Sequence, residues 1–185
     1  MTGVYDPELR LVYWTTGNPS PDYNGDDRLG DNLYASSVVA LDAGTGQLKW
    51  YFQFTPHNVW DWDAQQPTVL VDTTLDGQRR KLLVQASRNG FFYVLDRTNG
   101  KLVLAKPFVR SLTWAREIGA DGRPRAVNRD YHGALARVEL RLVGHVAVMH
   151  AARHWIARDA FDARKQTRRQ RSGRQRHPRS QRGSE

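Results

Sequence analysis

A segment of about a dozen residues occurs twice in this chain, and the repeat constrains the fold more than any other sequence feature. Residues 39–50 (VALDAGTGQLKW) align with residues 93–103 (YVLDRTNGKLV), which places Asp42 opposite Asp96 at an offset of 54 residues. A weaker copy begins at Val4, as VYDP followed by LVY. Such a strand–turn–strand unit, recurring at roughly 50 residues, is typical of propeller blades, which bury their faces only against neighbouring blades. A run of unrelated hairpins with common turn chemistry is the alternative.

The same β pattern extends over the first 125 residues. Short apolar runs rich in Val, Tyr, Phe and Leu alternate with turns of Gly, Asp and Asn. The predicted strands are residues 11–15, 36–42, 48–54, 68–71, 81–86, 91–96 and 101–105. No segment of this part has a convincing helical period, so we predict an all-β fold.

The net charge of +9 comes entirely from the last third of the chain. Residues 1–125 contain 14 basic and 14 acidic residues, whereas residues 126–185 contain 14 basic and 5 acidic ones. We therefore divide the chain into a β domain over 1–125 and an Arg-rich tail over 126–185, predicted to be irregular or disordered. The tail is either a basic nucleic-acid-binding arm or an out-of-frame translation of GC-rich DNA. The abrupt end of the repeat favours the second.

Composition excludes few other classes of protein. The absence of cysteine gives no indication of redox compartment. No run approaches the roughly 18 apolar residues of a membrane span. The first residues lack the charged and apolar regions of a signal peptide, so we expect neither a span nor a signal peptide in this chain.

Polar residues are concentrated in three clusters, at residues 16–34, 52–63 and 87–97. Asp61 and Asp63 are two residues apart, so in an extended segment both carboxylates point the same way. Two such carboxylates repel each other unless a proton or a cation lies between them. Asn18 offers an amide oxygen from another loop, and hard cations bind carboxylate and amide oxygens. Without further information, solvated loop acids are the more common explanation.

Four motifs in these clusters resemble the methanol/ethanol family of pyrroloquinoline-quinone (PQQ) dependent dehydrogenases. They are GNPxPxxN, RxGDNLYxSSxVALDxxTGxLKW, FQxTPHxxWDxD and RNGFFYVLDRxNG, and they occur in the family's order. The resemblance runs from about Val4 to Arg123, roughly two thirds of the chain. It implies a fragment of an eight-bladed β-propeller, a few blades in all, in which Trp50 packs onto the neighbouring blade.

The resemblance also implies an activity and a set of site residues. The family oxidises primary alcohols to aldehydes by hydride transfer to PQQ, assisted by a metal ion. Asn18 and Asp61 correspond to metal ligands, and Asp61 is also the catalytic base that accepts the alcohol proton. Arg88 corresponds to the arginine that hydrogen-bonds the quinone oxygens. A turn residue in a salt bridge at the edge of a blade is the alternative for Arg88.

Asp63 bears on the identity of the metal. Calcium-using members of the family usually lack a carboxylate at this position, whereas lanthanide-using members have one. A further anionic oxygen better neutralises a trivalent ion, so we predict a lanthanide site with Asp63 as a third ligand, and calcium as the alternative. Asn58 departs from the acid commonly found at its position.

The resemblance implies partners and a location for the intact protein: a small alcohol, a cytochrome c electron acceptor and the periplasm. The family's glutamate ligand, PQQ-stacking tryptophan and vicinal cysteines are expected upstream of Met1, so we expect this fragment to be inactive alone. A non-catalytic propeller scaffold would not need Asn18, Asp61, Asp63 and Arg88 together. Nucleic-acid binding has support only from the tail, because residues 1–125 are neutral.

Overall fold

The described residues form two four-stranded antiparallel sheets and one short hairpin. A computed structural model describes residues 3–75 and 77–126, and all of these except 75, 77 and 78 belong to one compact unit. The first sheet has the order β1-β2-β3-β4, the second β5-β6-β7-β8, and β9 pairs with β10. The strands are β1 Val4–Asp6, β2 Leu11–Thr15, β3 Ser37–Asp42, β4 Leu48–Gln53, β5 Val69–Leu75, β6 Gln78–Ala86, β7 Phe91–Asp96, β8 Leu102–Pro107, β9 Ala115–Ile118 and β10 Pro124–Ala126.

The sequence repeat corresponds to one hairpin at the same place in each sheet. In β3–β4 the Gly46 N–H donates to the Asp42 carbonyl at 2.8 Å, and in β7–β8 Gly100 donates to Asp96 at the same distance. The carboxylate of each aspartate also accepts a hydrogen bond from the threonine hydroxyl in its turn. Both hairpins shift register at the matching point, after Ala40 and after Val94. The repeat is therefore structural, and the alternative of unrelated hairpins is wrong.

Aromatic side chains fill the space between the two sheets. Trp50, at the outer edge of the first sheet, donates from its indole nitrogen to the Arg97 carbonyl at 3.2 Å. Its ring lies directly over Gly100, where a Cβ would come within 2.5 Å of it. Phe54 and Tyr93 pack edge to face with centroids 4.8 Å apart, and both are almost completely buried. The predicted packing of Trp50 onto the neighbouring sheet is thus present in the structure.

The strand predictions are confirmed, with differences at the ends and three omissions. All seven predicted strands are present. Strand β3 begins at Ser37 and not at residue 36, because Ser36 has a left-handed φ of 48° and its N–H donates to the Gly17 carbonyl. Strands β1, β9 and β10 were not predicted, since each has only three or four residues. No helix among the described residues is long and apolar enough to cross a membrane. The predicted tail lies outside the described residues, apart from Ala126.

Candidate functional site

Three connections meet at one end of the two sheets, which we call the site end. Because consecutive strands are antiparallel, the connections after β2, β4 and β6 leave the sheets on the same side. These are residues 16–36, 54–68 and 87–90, and they contain Asn18, Asp61 with Asp63, and Arg88 respectively. The four residues singled out from the sequence therefore share one end of the fold.

Asn18 links the two aspartates. Its backbone N–H donates to Asp63 Oδ1 at 3.0 Å, and its side-chain nitrogen donates to Asp61 Oδ1 at 2.5 Å. Gly17 allows this approach, since a Cβ at that position would lie 2.8 Å from Asp63 Oδ1. Asn18, in the β2–β3 loop, thus links the first sheet to the two carboxylates on the connection between the sheets.

The carboxylates converge for a different reason from the one that strand alternation suggested. Residues 61–68 are not in a strand, and Asp61 has a left-handed φ of 56°. Aspartate tolerates this conformation better than bulky residues do, but such outliers persist only where the surroundings impose them. Here the side chains of Asn18 and Tyr23 donate hydrogen bonds to the Asp61 carboxylate. The condition of an extended segment is therefore not met at Asp61, and the two carboxylates are instead linked through their hydrogen bonds to Asn18.

Arg88 lies on the far side of Asp63 from Asn18. Its guanidinium nitrogen Nη1 is 4.0 Å from Asp63 Oδ2, and its side chain is about half exposed. Gln66 fixes the backbone of both residues: its oxygen accepts from the Arg88 N–H at 3.1 Å, and its nitrogen donates to the Asp63 carbonyl at 2.9 Å. The buried Gln85 of β6 donates to the carbonyls of Ala64 and Gln66, which attaches this connection to the second sheet.

Asn58 is a buried hydrogen-bonding centre behind Asn18. Its oxygen accepts from the Trp60 N–H at 2.9 Å, and its nitrogen donates to Asn18 Oδ1 at 2.7 Å and to Ser36 Oγ at 2.9 Å. Asn58 and Ser36 are both almost completely buried. The side-chain oxygen of Asn18 is therefore directed at Asn58, and its nitrogen is directed at Asp61.

Tyr23 also reaches the site, from the same loop as Asn18. Its hydroxyl donates to Asp61 Oδ2 at 3.3 Å. The negative charge of Asp61 raises the pKa of the Tyr23 phenol, because a phenolate beside a carboxylate is disfavoured. Tyr23 was not selected from the sequence, because it is exposed and occupies a variable position of the motif GNPxPxxN.

Three tryptophans form the apolar wall beside Asp61. Trp60 and Trp62 stack with their centroids 4.7 Å apart and an interplanar angle of 19°, and Trp114 packs against Trp62 at 5.2 Å. The Trp114 indole nitrogen donates to the Asn89 carbonyl at 2.8 Å, next to Arg88. Trp60 and Trp62 therefore pack against other aromatic side chains, and they also flank the aspartate in the sequence.

The donor set at the site end suits a hard cation. Both carboxylates are hydrogen-bonded to Asn18, and Ca²⁺ and similar ions take six to eight oxygens from such groups. Among the described residues no group of three or more His, Cys, Asp or Glu side chains comes together, so a bound ion needs further donors. The carboxylates fit a cation as they stand, whereas Asn18 presents its nitrogen and would have to turn its amide over.

Comparisons with known proteins identify the family of the chain. Residues 2–106 match the family model described as the β-propeller domain of PQQ glucose/ethanol/alcohol dehydrogenases. The chain is 49% identical to the quinoprotein alcohol dehydrogenase PedH of Pseudomonas putida over 122 residues, 66% of this chain and 20% of that protein. It is 40% identical to the lanthanide-dependent methanol dehydrogenase of Methylorubrum extorquens over 131 residues, 68% of this chain and 22% of that one.

Solved structures agree with the sequence comparisons. A europium-containing methanol dehydrogenase superposes with a TM-score of 0.65 at 40% identity, covering 68% of this chain and 22% of the other. The quinohemoprotein alcohol dehydrogenase of Comamonas testosteroni also gives a TM-score of 0.65, at 43% identity, over 68% of this chain and 19% of the other. The chain thus spans about a fifth of the length of the relatives that it matches.

Proposed function

This chain belongs to the PQQ-dependent family of glucose, ethanol and alcohol dehydrogenase β-propeller domains, and we propose that it carries part of the catalytic centre of an alcohol dehydrogenase. The observation that supports the proposal most directly is the hydrogen bonding of Asn18 to both Asp61 and Asp63, with Arg88 on the other side of Asp63. In this proposal the intact protein oxidises a primary alcohol to an aldehyde.

Asp61 and Asp63 are the proposed cation ligands of this chain, together with Asn18. Their two carboxylates supply two negative charges at one point, and this favours a trivalent ion over a divalent one. We therefore propose a lanthanide at this site, with calcium as the alternative. Two of the relatives have names or titles that mention a lanthanide, which supports the same preference.

Asp61 is also the proposed general base. Its carboxylate lies beside the apolar wall of Trp60 and Trp62, where an alcohol could approach with its hydroxyl towards the aspartate. Asp61 accepts the hydroxyl proton, which allows hydride to leave the adjacent carbon. PQQ, when bound, would supply the hydride acceptor, and a cation held by Asn18, Asp61 and Asp63 would supply a Lewis acid.

Arg88 is the proposed PQQ-binding residue. Its guanidinium is about half exposed and points to the site end, so its donors remain accessible to a quinone oxygen. A guanidinium stabilises negative charge that develops on such an oxygen. The 4.0 Å ion pair with Asp63 positions Arg88 in the absence of that partner.

The remaining parts of the proposal concern the intact protein. We propose a small alcohol as substrate, a cytochrome c as electron acceptor and the periplasm as location. Relatives named quinohemoprotein alcohol dehydrogenases support electron transfer to a haem group. Because the described segment covers about a fifth of its relatives, we expect no turnover from this chain alone.

An exchange chimera tests the proposed function. Residues 4–123 replace the matching segment of the Pseudomonas putida relative, and the purified protein is loaded with PQQ and a lanthanide. We expect alcohol-dependent reduction of a redox dye, and Asp61→Asn should lower its rate by about 10²–10⁴-fold because the general base is lost. Asp42→Asn, at the opposite end of the first sheet, is the control and should leave the rate unchanged. A PQQ-loaded chimera that is inactive, or one that tolerates Asp61→Asn, would contradict the proposal.

A further inference from the structure

Asn58 controls which face the Asn18 amide turns towards the two carboxylates. The backbone N–H of Trp60 can only donate, so the Asn58 atom that receives it at 2.9 Å is the oxygen. The other end of the Asn58 amide is therefore the nitrogen, and its two hydrogens are directed at Ser36 Oγ and at Asn18. The Asn18 atom facing Asn58 must accept, so it is the oxygen, and the Asn18 nitrogen is left facing Asp61.

This orientation of the Asn18 amide is favourable when no cation is bound and unfavourable when one is. An N–H donor 2.5 Å from Asp61 Oδ1 partly neutralises the carboxylate. A cation held by the same carboxylate would instead meet the hydrogens of Asn18. If Asn18 turned over to offer its oxygen, its nitrogen would face the Asn58 nitrogen, and a buried hydrogen bond would be replaced by two opposed donors.

We propose that Asn58 is a positioning residue that lowers the cation affinity of this site by holding the Asn18 oxygen away from it. The inference rests on the proposed function, in which Asn18, Asp61 and Asp63 bind a metal ion. It predicts that an acceptor at position 58 releases Asn18. In Asn58→Asp, which is nearly isosteric, the carboxylate accepts from the Trp60 N–H, the Ser36 hydroxyl and the Asn18 nitrogen, and the Asn18 oxygen turns towards Asp61.

Terbium titration of the full 185-residue chain measures the effect. Terbium luminescence is sensitised by nearby tryptophan, and Trp60 and Trp62 flank Asp61 in the sequence. Asn58→Asp should raise the affinity for Tb³⁺ through its added charge and through the reorientation of Asn18. We expect the reorientation to contribute on the order of tenfold in affinity, which corresponds to about one hydrogen bond. Luminescence lifetimes in H₂O and D₂O count the waters on the ion, and we expect about one fewer in Asn58→Asp because Asn18 replaces it.

A double-mutant cycle separates orientation from charge. Asn58→Asp also adds a negative charge, and this contribution persists when Asn18 is replaced by alanine. The affinity gain from Asn58→Asp should therefore be about tenfold larger with Asn18 present than in the Asn18→Ala background. Asn18→Asp is a second test, because an aspartate at position 18 presents an oxygen towards Asp61 in either orientation. This variant should therefore bind Tb³⁺ more tightly even when Asn58 is unchanged.

The outcomes distinguish the inference from the proposed function. Equal gains from Asn58→Asp in both backgrounds, with an unchanged water count, would overturn the role of Asn58 while leaving the metal site intact. Tb³⁺ binding that persists in Asp61→Ala, or no binding in either the wild-type chain or Asn58→Asp, would contradict the metal site itself and the inference with it. Asp42→Asn controls for unspecific binding to surface carboxylates and should bind Tb³⁺ like the wild type.

Discussion

Arg97 is the residue on which the polar contacts between the two sheets converge. Its guanidinium donates to Asp6 Oδ2 at 2.6 Å and to Asp72 Oδ1 at 2.7 Å, and both Arg97 and Asp6 are buried. Its carbonyl accepts from the Tyr13 hydroxyl and the Trp50 indole. The sequence contained one signal of this role: at the equivalent position of the first copy of the repeat stands Ala43. A charged residue that breaks a repeat is a reason to look for a partner outside its own sheet.

Asp6 should make the stability of the fold depend on acid pH. Burial raises the pKa of the Asp6 carboxyl, but the hydrogen bond and charge of Arg97, with two backbone N–H donors, outweigh burial and hold its pKa below the ordinary 3.8. A carboxyl whose pKa is lower in the folded state stabilises the fold above its unfolded pKa, and this contribution is lost as the pH falls through the folded pKa. We expect Asp6→Asn to lower the free energy of unfolding at pH 7 by about 3–5 kcal/mol.

Denaturant unfolding between pH 7 and pH 2 checks this expectation. The wild-type chain should lose stability below about pH 3.8, and Asp6→Asn should show a flatter profile in that window. Asp121→Asn is the control, because Asp121 forms an exposed ion pair with Arg125 and should matter far less. Equal losses in the two variants would show that the buried pair has no special role.

Asp63 should decide which metal ion the intact site prefers. Its carboxylate adds a second negative charge next to Asp61, and this charge favours a trivalent ion more than a divalent one. In the exchange chimera, Asp63→Ala should lower the activity measured with a lanthanide. The difference between the activity with a lanthanide and the activity with calcium should become smaller. Metal-replacement assays with each ion in turn measure both quantities. Equal activity with calcium before the substitution, and no change after it, would refute the lanthanide preference.

At the scale of elements, the two repeated hairpins differ in what lies over their glycines. Gly46 and Gly100 occupy equivalent turns with φ of 71° and 75°. A Cβ at Gly46 would meet nothing within 4 Å, whereas one at Gly100 would meet the Trp50 ring at 2.5 Å. Glycine is therefore required at position 46 only for the left-handed backbone of the turn. At position 100 it is required for that backbone and also for the close packing of Trp50.

Alanine substitutions separate these two roles. Gly46→Ala should lower the free energy of unfolding by roughly 1–2 kcal/mol, the usual cost of a left-handed conformation for a residue with a Cβ. Gly100→Ala should cost roughly 1–3 kcal/mol more, because Trp50 must also be displaced from between the sheets. Urea unfolding of both variants gives the difference directly. Indistinguishable losses would mean that Trp50 does not hold the second sheet against the first.

At the scale of the whole molecule, the sequence was sufficient for the architecture and insufficient for the details of the site. Hydrophobic alternation and turn residues located every strand of five residues or more, because both are local properties of the chain. The geometry of Asp61 was missed because its side chain is hydrogen-bonded to Asn18, which is 43 residues away in the sequence. Asn58, Tyr23 and Gln66 were missed as site residues for the same reason: each acts through a partner that only the fold brings near.

The described sheets also explain why a segment of this length is not expected to act alone. The residues proposed for catalysis all lie on connections at one end, and the two carboxylates supply only part of the six to eight oxygens that a hard cation takes. Tyr5 and Trp14 of the first sheet remain exposed, at 51% and 40%. Large apolar side chains on a sheet surface are typical of faces that pack against another element.

Anomalous X-ray scattering from bound terbium shows directly whether Asp61 and Asp63 bind a metal ion. Crystals of the exchange chimera, grown with PQQ and Tb³⁺, are measured at the terbium absorption edge. We predict an anomalous peak at the site end, within roughly 2.3–2.6 Å of a carboxylate oxygen of both Asp61 and Asp63. A cation peak elsewhere in the PQQ-loaded protein, with none beside Asp61, would contradict it.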